Sequence, residues 1–129
     1  MSVKSRLLDL IPLETVVLVV GVALLFAVSM PLRSILRNRR YADELSVYLT
    51  AVATQQESYL YDHAAYAGTH GQLVALIANP NLTVTVQEAT STGWSAIAAH
   101  RSAPVQCSLF VGNAAPVGAA ADEGDIECG

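Results

Sequence analysis

The 129-residue sequence holds little that could carry chemistry or grip a nucleic acid. After Arg40 its only base is Arg101, and the C-terminal stretch sets Asp122, Glu123, Asp125 and Glu127 together without a cation. Such a surface repels a phosphate backbone, so no nucleic-acid partner is expected. Cysteine occurs only at Cys107 and Cys128, and these form neither a Cys-x-x-Cys pair nor a haem-attachment motif. His63, His70 and His100 lack metal-ligand partners at usable spacing. No nucleophile elbow or phosphate-binding loop frames any Ser or Asp. The expectation is a non-enzymatic chain with no cofactor, no metal and no small-molecule substrate.

What stands out instead is Thr15 to Leu32, a run without a charged residue, preceded by the partly apolar Leu10 to Leu13. It is long enough to cross a bilayer as a helix. Only about half of the chain is left for a folded head, too little to swallow such a segment as a core helix. A cleavable signal peptide would have a shorter apolar part ending in small residues, whereas this run ends Ser29-Met30-Pro31-Leu32 and then meets arginines. Residues 10–32 are therefore expected to be a retained transmembrane helix after a short basic, cytoplasmic segment, 1–9. Lys4 and Arg6 before the span, and Arg33, Arg37, Arg39 and Arg40 after it, are expected to contact lipid headgroups. The Gly21, Ala23 and Ala27 surface allows close approach of other transmembrane subunits. Glu14 opens the apolar run and has two open readings. An ionisable group in a span marks a functional site by default, and one near a helix start offsets the dipole at the interface. Pro12 suits a first helical turn, and Pro31 is expected to loosen or kink the helix.

Charge and cysteine give opposite topologies. Two bases before the span and four after it would leave the C-terminal side in the cytoplasm. A cysteine pair in the head fits one disulfide and an oxidising compartment, although two free thiols in a cytosolic head remain the alternative. The cysteines are preferred, because Arg33 to Arg40 can continue on the helix and meet headgroups on the outer side.

Residues 33–66 read as an amphipathic continuation of the helix. Leu45, Leu49, Val52, Gln56, Tyr59 and His63 recur at spacings of three and four, with Tyr41, Tyr48 and Gln55 on an adjoining face. Gly68 and Gly71 signal the helix exit, and Gln72 to Ala78 fits a short helical turn that ends at Asn79-Pro80-Asn81. Three strands are predicted, over Leu82–Glu88, Trp94–His100 and Gln106–Val111, as antiparallel neighbours. Val84, Val86, Trp94, Ile97, Leu109 and Val111 are candidates for the face that receives the helix. From Gly112 the chain is too poor in large apolar groups to pack alone, and a Cys107–Cys128 bridge would tie it back onto the sheet. The fold class is α+β, with a long N-terminal helix and a head at 67–129 built on a three- to four-stranded antiparallel sheet.

Taken together these pieces resemble a type IV pilin or pseudopilin over nearly the whole chain. That family opens with a basic leader and an apolar helix bearing one glutamate in its first turn and a proline 17 residues later, the separation of Glu14 and Pro31 (31 − 14 = 17). Gln55-Gln56-Glu57-Ser58-Tyr59, Gly93-Trp94-Ser95-Ala96 and the two cysteines are similar to the same heads. The resemblance implies a helix packed on an antiparallel sheet, a disulfide-closed C-terminal loop, and membrane assembly through Glu14 and Pro31. One departure is clear: the family is cleaved after a glycine, and the next residue, four positions before the glutamate, becomes the methylated terminus, whereas here those two positions are Asp9 and Leu10. The expectation is therefore an uncleaved accessory subunit of a larger bacterial membrane complex, of respiratory or photosynthetic type, in the inner membrane with its head in the periplasm. The alternative is a filament subunit of a pilus or secretion system.

Overall fold

A computed structural model describes residues 12–73, 76 and 78–129. Helix α1 runs Leu13–His63, followed by a 3-10 turn at His70–Gln72 and strands β1 (Leu82–Ala89), β2 (Gly93–His100), β3 (Gln106–Gly112) and β4 (Glu127–Cys128). The strands form one antiparallel sheet in the order β1-β2-β3-β4. By internal contacts the chain divides into two units, one ending at Arg37 and the other Asn38–Gly129. The architecture is α+β, as the periodicities require.

Helix α1 begins at a proline-marked start. The Pro12 carbonyl accepts the Thr15 amide at 2.9 Å, and Glu14 occupies the first turn. Pro31 lies inside the helix, which continues through it. Having no N–H, Pro31 cannot serve the Ala27 carbonyl, so that turn lacks one helical bond. Three residues on, the Ser34 hydroxyl donates to the Pro31 carbonyl at 2.8 Å. The helix stops at His63 rather than at residue 66. Ala64 turns left-handed, with φ 59°, while its amide still reaches the Leu60 carbonyl at 2.8 Å. That is a helix-ending geometry normally given to glycine, occupied here by alanine.

In the second unit, the helix buries Leu45, Leu49, Val52 and Gln56 completely. Their spacings of four, three and four make a single stripe, the one the sequence periodicity marks. The sheet residues in the same core cluster are Trp94, Ala96 and Ala98 of β2 and Cys107 and Leu109 of β3. Cross-strand register accounts for the membership: Ala96 pairs Leu109, Ala98 pairs Cys107, and Trp94 pairs the partly buried Val111. Small alanines in the middle of the central strand leave room for the leucines of the helix. Ile97 does not join this face. It stands three residues from Trp94, and in a strand an odd offset points to the opposite side. There it pairs Ser108, on the face where Phe110, Ala114 and Ala120 form a second small cluster.

The Ala/Gly-rich tail makes that second face. The Gly124 amide bonds to the Phe110 carbonyl at 2.9 Å, the Ala120 amide to Ser108 Oγ at 3.0 Å, and the Gly112 amide to Glu123 Oε1 at 2.8 Å. A side chain at Gly118 would meet Ser108 at 2.7 Å, so small residues here are a condition of close approach. The tail ends in β4, a two-residue strand that pairs Cys107 with Cys128 and is too short to leave a pattern in sequence.

A polar anchor completes the head. The buried Gln56 carboxamide donates to the Ala67 carbonyl at 3.0 Å and accepts the Ala67 amide at 2.7 Å, imitating a strand partner for the loop after the helix. The expected helical turn at 72–78 falls earlier, as the 3-10 turn; Val74, Ala75 and Ile77 lie outside the described residues. Asn79-Pro80-Asn81 is the expected turn: the Leu82 amide reaches the Asn79 carbonyl at 3.1 Å.

Replacing Gln56 by Leu would strand two buried backbone groups of Ala67. Each such group costs about 1–3 kcal/mol, so the head should lose roughly 2–6 kcal/mol. Unfolding of the full chain in detergent, followed by fluorescence of Trp94, its single tryptophan, measures this. A loss below about 0.5 kcal/mol, the range of a neutral surface change, would contradict the assignment.

Candidate functional site

The described residues of the first unit present an apolar surface. From Leu13 to Leu36 its fifteen large apolar side chains are 41% to 78% exposed, and the most apolar 18-residue window has a mean hydropathy of 2.5 with none of it buried. At roughly 1.5 kcal/mol or more per aliphatic side chain, water contact with this surface costs on the order of 20 kcal/mol. Thr15 to Leu32 rises about 27 Å at 1.5 Å per residue, against a hydrocarbon core of about 30 Å. The helix is long and apolar enough to span a membrane.

The helical turn sorts the expected assembly residues into two faces. Ala23, Ala27 and Pro31 follow one another at intervals of four and share a side. Gly21 stands two residues from Ala23, about 200° around the axis, so the three small residues do not make one surface. Gly21 shares its side with Glu14, seven residues earlier, and an added Cβ there meets no atom within 4 Å. Glu14 sits where a carboxylate complements the positive end of the helix dipole. Arg33, Arg37, Arg39 and Arg40 are all exposed. Lys4 and Arg6 lie outside the described residues.

In the second unit Cys107 and Cys128 are joined as a disulfide. Cys107 is fully buried, and the two sulfurs lie 3.6 and 3.9 Å from the Ala42 carbonyl oxygen of α1. The bridge thus closes the tail over one sheet face and abuts the helix on the other. For a separation of 21 residues the chain-entropy argument gives about 3 kcal/mol.

Each histidine meets a tyrosine of α1. His63 stacks on Tyr59 with ring centres 3.9 Å apart, Tyr48 Oη bonds His70 Nε2 at 3.0 Å, and His100 lies 4.3 Å from the Tyr41 ring. His100 Nδ1 accepts the Ser102 amide at 3.0 Å, which assigns its proton to Nε2, 3.6 Å from Glu44 Oε2. The His70 and His100 contacts tie the 3-10 turn and the end of β2 to the helix, which sequence spacing does not signal, whereas the Tyr59–His63 stack is a four-residue spacing within α1 itself. The groove formed by Gln55, Tyr59, His63 and Gln72 holds only about 110 Å³, well below the size of usual ligand sites. Among the described residues no three His, Cys, Asp or Glu side chains gather as a metal site. The buried Trp94 Nε1 has no hydrogen-bond acceptor among the described residues.

Two phenols are held above the ordinary value of 10.0: Tyr48 by burial, and Tyr66 by burial first, then by its hydrogen bond to Glu57 and the charges of Glu57 and Glu123. Folding therefore favours their protonated forms. That contribution is complete below pH 10.0 and is lost as pH rises through the raised values. The melting temperature should fall above that pH, and Tyr66→Phe should lessen the fall. Tyrosinate absorbance in which all five phenols of the folded protein titrate together at the ordinary value would contradict this.

Compared with known protein families and with curated, functionally described proteins, the chain matches none in sequence.

Proposed function

We propose that this chain is a non-enzymatic, single-span, pilin-like membrane protein of a bacterial inner membrane that serves as an accessory, stabilising subunit of a larger membrane complex of respiratory or photosynthetic type. The observation that carries the reading is the unburied apolar span of α1, which demands lipid or other helices around it. The disulfide supports a periplasmic head, since such bridges persist in oxidising compartments. Arg33 to Arg40 then lie on the outer side, against the charge bias, and the N-terminus is cytoplasmic. Ala23 and Ala27 give the span a flat strip on which a neighbouring transmembrane helix can pack closely. The head contributes cover and stability rather than chemistry.

The second reading is a filament subunit. It is favoured by Glu14 in the first turn and Pro31 seventeen residues on, the pattern shared with pilins. Against it stands Asp9 where the processing glycine of that family belongs.

Gentle detergent extraction of the native membrane should bring the chain down in fixed stoichiometry with a multi-subunit complex. Ala27→Phe should reduce that recovery about ten-fold or more, as loss of one close helix contact of roughly 1.4 kcal/mol would, while leaving the unfolding of the head unchanged. A native N-terminus at Leu10 bearing a methyl group, with the chain recovered in filaments, would overturn the accessory-subunit reading.

A further inference from the structure

Arg33 and Arg37, just after the span, have no carboxylate within reach on their own helix. Arg33 and Arg37 are one turn apart and exposed, and Arg39 and Arg40 follow in the chain, also exposed. The nearest carboxylates along the helix are Glu14 on one side and Asp43 on the other, beyond the three- and four-residue reach of Arg33 and Arg37. Among the described residues the one ion pair joins His100 to Glu44, and none of the four guanidinium groups meets a carboxylate. Leu32, Ile35 and Leu36, interleaved with these arginines, are 50% to 56% exposed. At about 100° per residue the three apolar side chains fall within one sector of about 100°, and Arg33 and Arg37 lie outside it, about 40° apart.

A segment with apolar groups on one side and unpaired guanidinium groups on the other suits one environment, the boundary between acyl chains and headgroups. Leu32 to Arg37 rises about 7.5 Å, against a headgroup layer of roughly 5–8 Å on each side of the hydrocarbon. Arginine stems can lie along the acyl boundary while their heads reach phosphate. The guanidinium fork matches phosphate oxygens bidentately, and its charge is permanent. A zwitterionic headgroup carries its own ammonium to compete for that phosphate, and a net-negative headgroup does not.

We propose that Arg33 and Arg37 form a binding surface selective for anionic phospholipid headgroups in the leaflet at the Arg33 end of the span. This rests on the membrane-anchored reading. Lipid is favoured over an acidic protein because the pair directly continues a span whose large side chains are all exposed, which fixes both arginines at headgroup depth.

The test uses the full chain reconstituted in vesicles of equal phosphatidylcholine and phosphatidylglycerol, with flotation to score insertion and mass spectrometry of the lipids retained after mild detergent extraction. Wild type should float and retain phosphatidylglycerol in excess, by about five-fold per arginine at low salt. R33Q/R37Q should float equally well and retain the two lipids near their bulk ratio. R33K/R37K should fall between, keeping the charge and losing the fork. Wild type that floats without enrichment, or enrichment unchanged in R33Q/R37Q, would overturn the lipid surface and leave these arginines to an acidic protein. Failure of wild type to float would overturn the membrane anchor and the lipid surface together.

Discussion

The head depends on one stripe of helix. Leu45, Leu49 and Val52 are sealed from water and belong to the same cluster as Trp94, Ala96, Ala98 and Leu109. Burying each large apolar side chain is worth about 1.5–3 kcal/mol, and in a unit this small few other sources of stability exist. Gln56 extends the stripe with a polar group whose two hydrogen bonds to Ala67 fix where the loop leaves the helix. The second sheet face carries Phe110 with small neighbours and the partly buried Ile97 and Val117, and there the Cys107–Cys128 bridge and hydrogen bonds from the tail add what so few large side chains cannot supply. A helix, a sheet and a sewn-down tail form the minimum that holds together.

The N-terminal half of the same helix obeys a different solvent. None of its large apolar side chains is buried, and the periodicity that marks Leu45 to Gln56 is absent from Thr15 to Leu32. A helix apolar all round is at home in hydrocarbon or among other helices. One element therefore carries two solubility rules in succession, with arginines at the change between them. The proposed role follows from that division.

Much of this was legible in sequence because it repeats. The helix stripe has a period near 3.6, the strand Leu82–Ala89 alternates with period two, and the turn at Asn79-Pro80-Asn81 is written in turn-forming residues. The cysteine pair was legible from composition. What escaped has no repeat. Ile97 sits at an odd offset from Trp94, so its hydrophobicity says little until parity is applied. The helix stops at a left-handed alanine, Ala64, four residues before the glycine signal at Gly68. Gln56 was visible as a stripe member, but its partner is a backbone unit eleven residues away, which no side-chain pattern encodes. The Gly21, Ala23 and Ala27 surface read as one because the residues are close in sequence, and the helical turn divides it. The contacts of His70 with Tyr48 and of His100 with Tyr41 depend on where the chain after the helix returns to it.

Protease treatment of intact cells with a permeabilised outer layer, combined with carbonate washing of their membranes, addresses the whole account at once. The account predicts a chain that resists carbonate extraction, loses its head to external protease, and keeps a protected fragment containing Thr15 to Leu32. Release of the intact chain by carbonate, or a head that stays protected until the membrane is broken, would contradict it.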